Sequence, residues 1–212
     1  MSVGGRVVAF VTMSLDGYVA GPNDRVGEGL GDGGERLHRW MFGAPSTSDD
    51  GPHGPSAVDE EYLGEVFGAA GAWLVGRTMY DLAEGWGDDP GFGVPVFVVS
   101  HRTHDTVVKG DTSFEFVAGG IAAALSRAGA AAAGKDVLIM GGADVLRQYL
   151  AAGLVDELML TIAPVLLGGG KRLFDGIART DVAFERTGVV ESPVATHLRF
   201  RVRVGEGETA RH

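Results

Sequence analysis

Leu138-Ile139-Met140-Gly141-Gly142-Ala143-Asp144-Val145-Leu146 decides how this chain is read. A buried, strand-like run enters a helix through two adjacent glycines. Glycine lets a ligand approach the backbone closely. The first turn of the helix then offers free N–H groups and a partial positive charge, which suit phosphate. The same residues also read as a tight turn with no ligand, because glycine is common in strand-to-helix turns.

Working outward, Leu74-Val75-Gly76-Arg77-Thr78-Met79-Tyr80 repeats the pattern. Arg77 can present two N–H groups to one phosphate. Thr78 can cap the helix or bond a phosphate oxygen. Plain capping beside a surface arginine explains the same residues. Val98-Val99-Ser100-His101-Arg102 ends a strand on a hydroxyl and a cation. A ribose 2′-phosphate needs such groups, which favours NADP over NAD; a solvated strand end is the plainer alternative. Thr12-Met13-Ser14-Leu15-Asp16-Gly17-Tyr18-Val19-Ala20 follows the first strand. Asp16 can face a pocket as a proton donor, or bond its own backbone in a turn with Gly17.

Strand-like and helical stretches alternate around these motifs. Residues 6–13 form an apolar run that looks buried on both faces. Residues 58–67 read as a helix, 72–75 as a buried strand and 79–83 as a helix. Residues 94–99 read as a buried strand and 113–117 as an edge strand. An Ala-rich helix at 120–132, with Gly134 at its C-terminal cap, precedes a strand at 136–140 and a helix at 144–152. Residues 158–165, 182–190 and 196–204 read as three strands with few helical signals. This order predicts an α/β fold: a central, mostly parallel sheet with helices on both faces and a C-terminal antiparallel hairpin. Residues 1–204 read as one domain. Residues 21–56, rich in Gly, Pro, Asp and Ser, read as a lid insertion holding one short helix at 35–42. Leu167-Gly168-Gly169-Gly170-Lys171 reads as a flexible turn, and residues 205–212 as a disordered tail.

Composition narrows the function. A chain of 212 residues fits one domain with a sizeable core. It has no cysteine, which excludes disulfides and thiolate chemistry. A net charge of -10 argues against nucleic acid as a partner, yet permits one small anion held by local donors. No apolar run is long enough to span a bilayer. Residues 1–5 lack the basic start and apolar stretch of a signal peptide, so no membrane partner and a cytoplasmic location are expected. His101 and His104 lack a third ligand at useful spacing, so no metal is expected. No G-x-G-x-x-G follows the first strand, which argues against an ordinary Rossmann site. Neither G-x-x-x-x-G-K-[ST] nor G-x-S-x-G is present.

Taken in order, Ser14–Ala20, Val75–Asp81, Val98–Arg102, Met140–Ala143 and Val155–Pro164 resemble the dihydrofolate reductase superfamily. The closer similarity is to the reductase domain of riboflavin biosynthesis, the C-terminal half of a bifunctional deaminase-reductase, and its stand-alone bacterial relatives. The run Leu166–Phe174 is also similar to that group. The resemblance implies a dihydrofolate-reductase-like, eight-stranded sheet and NADPH-dependent hydride transfer to a small heterocyclic or ribosylamino-pyrimidine-type substrate. It implies that Gly76, Arg77 and Thr78 hold cofactor phosphates. Ser100, His101 and Arg102 would lie along the adenosine and its 2′-phosphate. Gly141, Gly142, Ala143, Asp144, Val145 and Leu146 would hold the pyrophosphate, with the two glycines often joined by a cis peptide. Thr12, Val19 and Ala20 would approach the nicotinamide. The chain departs from true dihydrofolate reductases after the first loop, where Trp40 stands in an H-R-W-M-F context and Asp59-Glu60-Glu61 begins the next helix. Asp16 and Asp59 are the candidate proton donors. A homodimer is the expected assembly. A dihydrofolate reductase and a non-catalytic nucleotide-binding protein on the same fold remain as alternatives.

Overall fold

The computed structural model of the chain describes residues 4–43, 54–177 and 182–204. Part of the expected lid, residues 44–53, and the expected tail, 205–212, lie outside them.

The first strand, β1 (Val7–Ser14), shows why the central runs are apolar throughout. Successive side chains of a strand point to opposite faces. Val7 and Ala9 join one core cluster, while Val8 and Phe10 join the other. Both faces are covered, so neither register of residues is free to be polar.

After β2 (Tyr18–Ala20) come a 3-10 turn (Gly34–His38) and the short α1 (Arg39–Phe42), then α2 (Ala57–Ala69). The chain continues through β3 (Ala70–Gly76), α3 (Arg77–Leu82), β4 (Val96–Val99), β5 (Val107–Lys109) and β6 (Thr112–Val117). Then follow α4 (Gly120–Ala131), β7 (Asp136–Gly141), α5 (Ala143–Ala151), β8 (Glu157–Ala163), β9 (Lys171–Arg172), β10 (Val182–Glu191) and β11 (Thr196–Val204).

The main sheet has nine strands in the order β10-β11-β8-β1-β7-β3-β4-β6-β5. From β8 across to β6 all neighbours are parallel. β11 joins β8 antiparallel, and β10 joins β11 antiparallel, which is the expected C-terminal hairpin. Helices α4 and α5 pack on one face through Ala124, Ala128, Leu146 and Tyr149. Trp40, Tyr62 and Val66, from α1 and α2, cover the other.

Three readings change. Residues 113–117 are not the sheet edge: β6 lies between β4 and β5. Its Phe114 and Phe116 are buried, and β5 pairs with it antiparallel through a turn in which Gly110 has φ 57°. The sheet accordingly has nine strands rather than eight. The Gly168–Gly170 run is not a free turn either. Lys171 and Arg172 pair with β2 in a separate two-stranded sheet. A Cβ at Gly170, where φ is +121°, would sit 2.0 Å from the Ala20 carbonyl oxygen, so the chains touch at backbone level.

Candidate functional site

The carboxyl ends of β1, β7, β3 and β4 open on one cavity of about 1950 Å³. This exceeds the roughly 300–1,000 Å³ of a pocket for one drug-sized ligand, so there is room for two. Ligands of open α/β sheets gather at this edge, where connections leave neighbouring strands in opposite directions. Here β7 sends α5 back over β1 to β8, whereas β3 leads through α3 outward to β4.

Two glycine turns build the middle of the cavity. Gly76 ends β3 and Gly142 precedes α5, and neither helix start is capped by a side chain. The first-turn amides of α5 therefore have no intrahelical partner. A Cβ at Gly76 would come within 2.9 Å of Val145 Cγ2 and 3.5 Å of the Gly142 nitrogen. Only glycine lets the two turns sit side by side. Gly141 has φ +118°, a conformation closed to most L-residues, and the Gly141–Gly142 peptide is cis.

One end of the cavity carries cations. Arg77 donates from Nε to both carboxylate oxygens of Asp81, at 2.7 and 2.8 Å. Its Nη1 donates to His104 Nε2 at 2.6 Å, and its guanidinium lies 5.3 Å from the centre of the Phe116 ring. Arginine can only donate, so His104 accepts through Nε2. The Arg77 Nη2 hydrogens have no partner among the described residues and remain available to an anion. Ser100 Oγ accepts from the Arg102 amide at 3.2 Å, which shapes the turn that presents His101 and Arg102.

The other end lies at β1 and β2. Thr12 is buried, and its Oγ1 accepts from Trp40 Nε1 at 3.1 Å. Phe10, Val11, Val19 and Ala20 line this end with His38, Met41 and Phe42. Burial pushes the His38 imidazole down to about 4, so it is neutral at physiological pH. His38, Met41 and Phe42 are site residues that the sequence reading did not single out. The short helix expected at 35–42 contains them, but nothing in that run told which side chains would turn toward a cavity.

Every residue named from the sequence for the cofactor, from Thr12 to Leu146, lines this cavity. The two candidate acids do not. Asp16 accepts from Ser14 Oγ at 2.6 Å and from the Leu167 and Gly168 amides, the latter at 2.7 Å. The Ser14 hydroxyl and those amides hold its carboxyl down at about 2 against the opposing effect of burial. It is an ionised anchor for the Gly168–Gly170 turn, not a proton donor. Asp59, in the first turn of α2, is fully buried. It accepts from Ser56 Oγ at 2.6 Å, closing a capping box, and its Oδ1 lies 2.9 Å from His197 Nε2. Burial opposes ionisation of Asp59, but bonds from Ser56 and His197 outweigh it and hold the carboxyl below its ordinary range. Burial pushes the His197 imidazole below its ordinary range, against the pull of Asp59.

Strand order, paired glycine turns and a cavity along the strand ends define a protein of the dihydrofolate-reductase-like class. Comparison with known proteins narrows this. The RibD C-terminal domain family matches residues 6–198, and the chain belongs to that family. A solved structure from Shewanella sp. PV-4, assigned to riboflavin biosynthesis, is 22% identical with a TM-score of 0.67. That likeness covers 93% of this chain and 99% of the other. A pyrimidine reductase-like protein from Corynebacterium diphtheriae is 17% identical with a TM-score of 0.54, over 93% of this chain and 92% of its own. The Thermotoga maritima diaminohydroxyphosphoribosylaminopyrimidine deaminase/5-amino-6-(5-phosphoribosylamino)uracil reductase is 13% identical with a TM-score of 0.59. There the match covers 93% of this chain but only 56% of the longer protein. Among curated proteins, the uncharacterized protein YyaP of Bacillus subtilis is 51% identical over 41 residues, which is 19% of this chain and 22% of that one. These folds are shared, and no described helix is long and apolar enough to cross a membrane.

Proposed function

We propose that this chain is an NADPH-dependent reductase that passes hydride to a small heterocyclic substrate of the ribosylamino-pyrimidine type. One observation carries the reading: three separate strand ends, β3, β4 and β7, bring Gly76-Arg77-Thr78, Ser100-His101-Arg102 and Gly141–Leu146 into one cavity. The donor set fits a dinucleotide. The α5 amides and the Arg77 guanidinium suit a pyrophosphate. Arg102, exposed at the rim beside Ser100, suits a 2′-phosphate. From β1 to β6 is four strand spacings, or about 19 Å, the span of a dinucleotide laid across the strand ends.

When bound, the cofactor supplies the hydride. The protein's part is to position and to exclude water. Thr12, Val19 and Ala20 wall the β1 end, and Trp40 holds the Thr12 hydroxyl in place. His38, neutral and facing the cavity, offers one hydrogen-bond donor and one acceptor to a ring edge.

The test compares NADPH with NADH by quenching of tryptophan fluorescence and by shift in melting temperature. NADPH binds more tightly, and Arg102→Ala narrows the gap between the two by about tenfold, one charge-assisted hydrogen bond's worth. No response to either dinucleotide sinks the reading.

A further inference from the structure

The cavity carries its charges unevenly, with carboxylates gathered toward its β1–β2 end. Arg77 and Arg102 lie at the β3–β4 end. At the β1–β2 end the lining carries Asp24, Glu28, Asp32 and Glu35. Three of these sit on an ordered strap. The Gly21 amide donates to the Leu30 carbonyl at 2.7 Å, and the Asp32 amide donates to the Pro22 carbonyl at 2.8 Å. Arg25 and Glu28 form a backbone bridge, and Gly29 packs on Leu82 of α3.

Arg39, beside His38, does not line the cavity, and three other cations near this end are engaged. Arg25 pairs with Glu28 and lies 3.7 Å from Asp32. Lys171 pairs with Asp24. Arg36 donates to the Leu166 carbonyl at 3.3 Å and does not line the cavity. Lys171, paired with Asp24, lines the cavity beside these four carboxylates, Arg147 lines it paired with Asp144, and the Glu35 carboxylate has no ion-pair partner among the described residues. The walls between these charges are Phe10, Met41 and Phe42, with His38 among them.

A phosphate dianion is recognised by arginine, lysine or unpaired amides, and a buried charge without such partners is costly. A flat ring is recognised by aromatic walls and a few polar groups at its edge. We propose that the β1 end of this cavity selects a planar heterocycle that carries no phosphate, neutral or cationic, over its phosphorylated counterpart. This rests on the cavity being the reductase site described above. It also separates this chain's substrate from the phosphoribosylamino compound named for the Thermotoga maritima protein.

The experiment uses the full chain saturated with NADPH and two probes: 5-amino-6-(5-phosphoribosylamino)uracil and the same compound after phosphatase treatment. Binding is read by calorimetry and turnover by loss of NADPH absorbance. The dephosphorylated probe binds at least tenfold more tightly and is the better substrate. Glu35→Lys narrows that preference severalfold and leaves NADPH affinity unchanged. Equal or tighter binding of the phosphorylated probe overturns the proposal, as does a preference that Glu35→Lys leaves untouched. Binding of neither probe, with NADPH bound normally, overturns the substrate class while the cofactor site stands. Failure of NADPH itself to bind defeats the earlier reading instead.

Discussion

At the scale of single residues, Asp16 is held by backbone amides from the far end of the chain. The S-L-D-G pattern reads more readily as a turn than as a proton donor, and the choice depends on Leu167 and Gly168, about 150 positions away in the chain. Nothing local announces that contact. Its ionised form is favoured by folding, so it stabilises above the ordinary carboxylate range. That contribution is lost as pH falls from about 4 toward 2. Asp16→Asn is expected to lower the melting temperature at pH 7 and to flatten its acid dependence in that window. If the variant keeps the wild-type acid profile, the anchor reading fails. Gly76 makes the opposite case, because its place was legible: a glycine before a cation at a strand end. Gly76→Ala drives a methyl into Val145 Cγ2, and overpacking of this kind costs about 1–3 kcal/mol. Affinity for NADPH falls at least tenfold in titration, while far-ultraviolet circular dichroism is unchanged.

At the scale of elements, the strands and helices of the α/β core were readable because each carries its own periodicity. β11 begins and ends where the residue pattern put it, at Thr196 and Val204. The short pieces were not readable. β5 and β9 have three and two residues, too few to show a period, and exist only because a neighbour offers free backbone groups. The buried tie between α2 and β11 was hidden for the same reason. His197 is wholly buried, bonded to Asp59 at 2.9 Å and close to Thr161 Oγ1 at 2.9 Å. Tyr62 stacks on it at 4.0 Å, and Trp40 meets it edge-on at 4.8 Å. Sequence shows an acid in a helix first turn and a histidine in a strand, 138 positions apart. Removing the imidazole leaves a hole and an Asp59 oxygen short of a donor. His197→Ala is expected to lose more than about 2 kcal/mol in urea denaturation. Because Trp40 loses its packing partner, the Thr12 wall should loosen and KM for the ring substrate rise more than affinity for NADPH falls.

At the scale of the whole molecule, order along the chain is misleading about order in space. A homodimer is the expected assembly, and β10 is the surface that suits it. It forms one edge of the sheet, and Phe184 and Val189 on it are 39% and 43% exposed. Edges of this kind are templates for pairing. Light scattering should return a dimer mass, and Phe184→Lys should shift it toward a monomer. A monomer at all concentrations for the native chain would refute that assembly.

The position of β1 has its own consequence. Val7 pairs with Val137 on one side, and Val8 pairs with Glu157 on the other. The first strand of this sheet in chain order is therefore flanked on both sides only once β8 is made. On a ribosome, this oily ribbon must wait for about 130 further residues before its first flank is covered and about 150 before its second. At about 5–20 residues per second, that wait is on the order of ten seconds or more. Synthesis of this chain passes through a sticky interval, and holding chaperones should be found on nascent chains that stop short of β8.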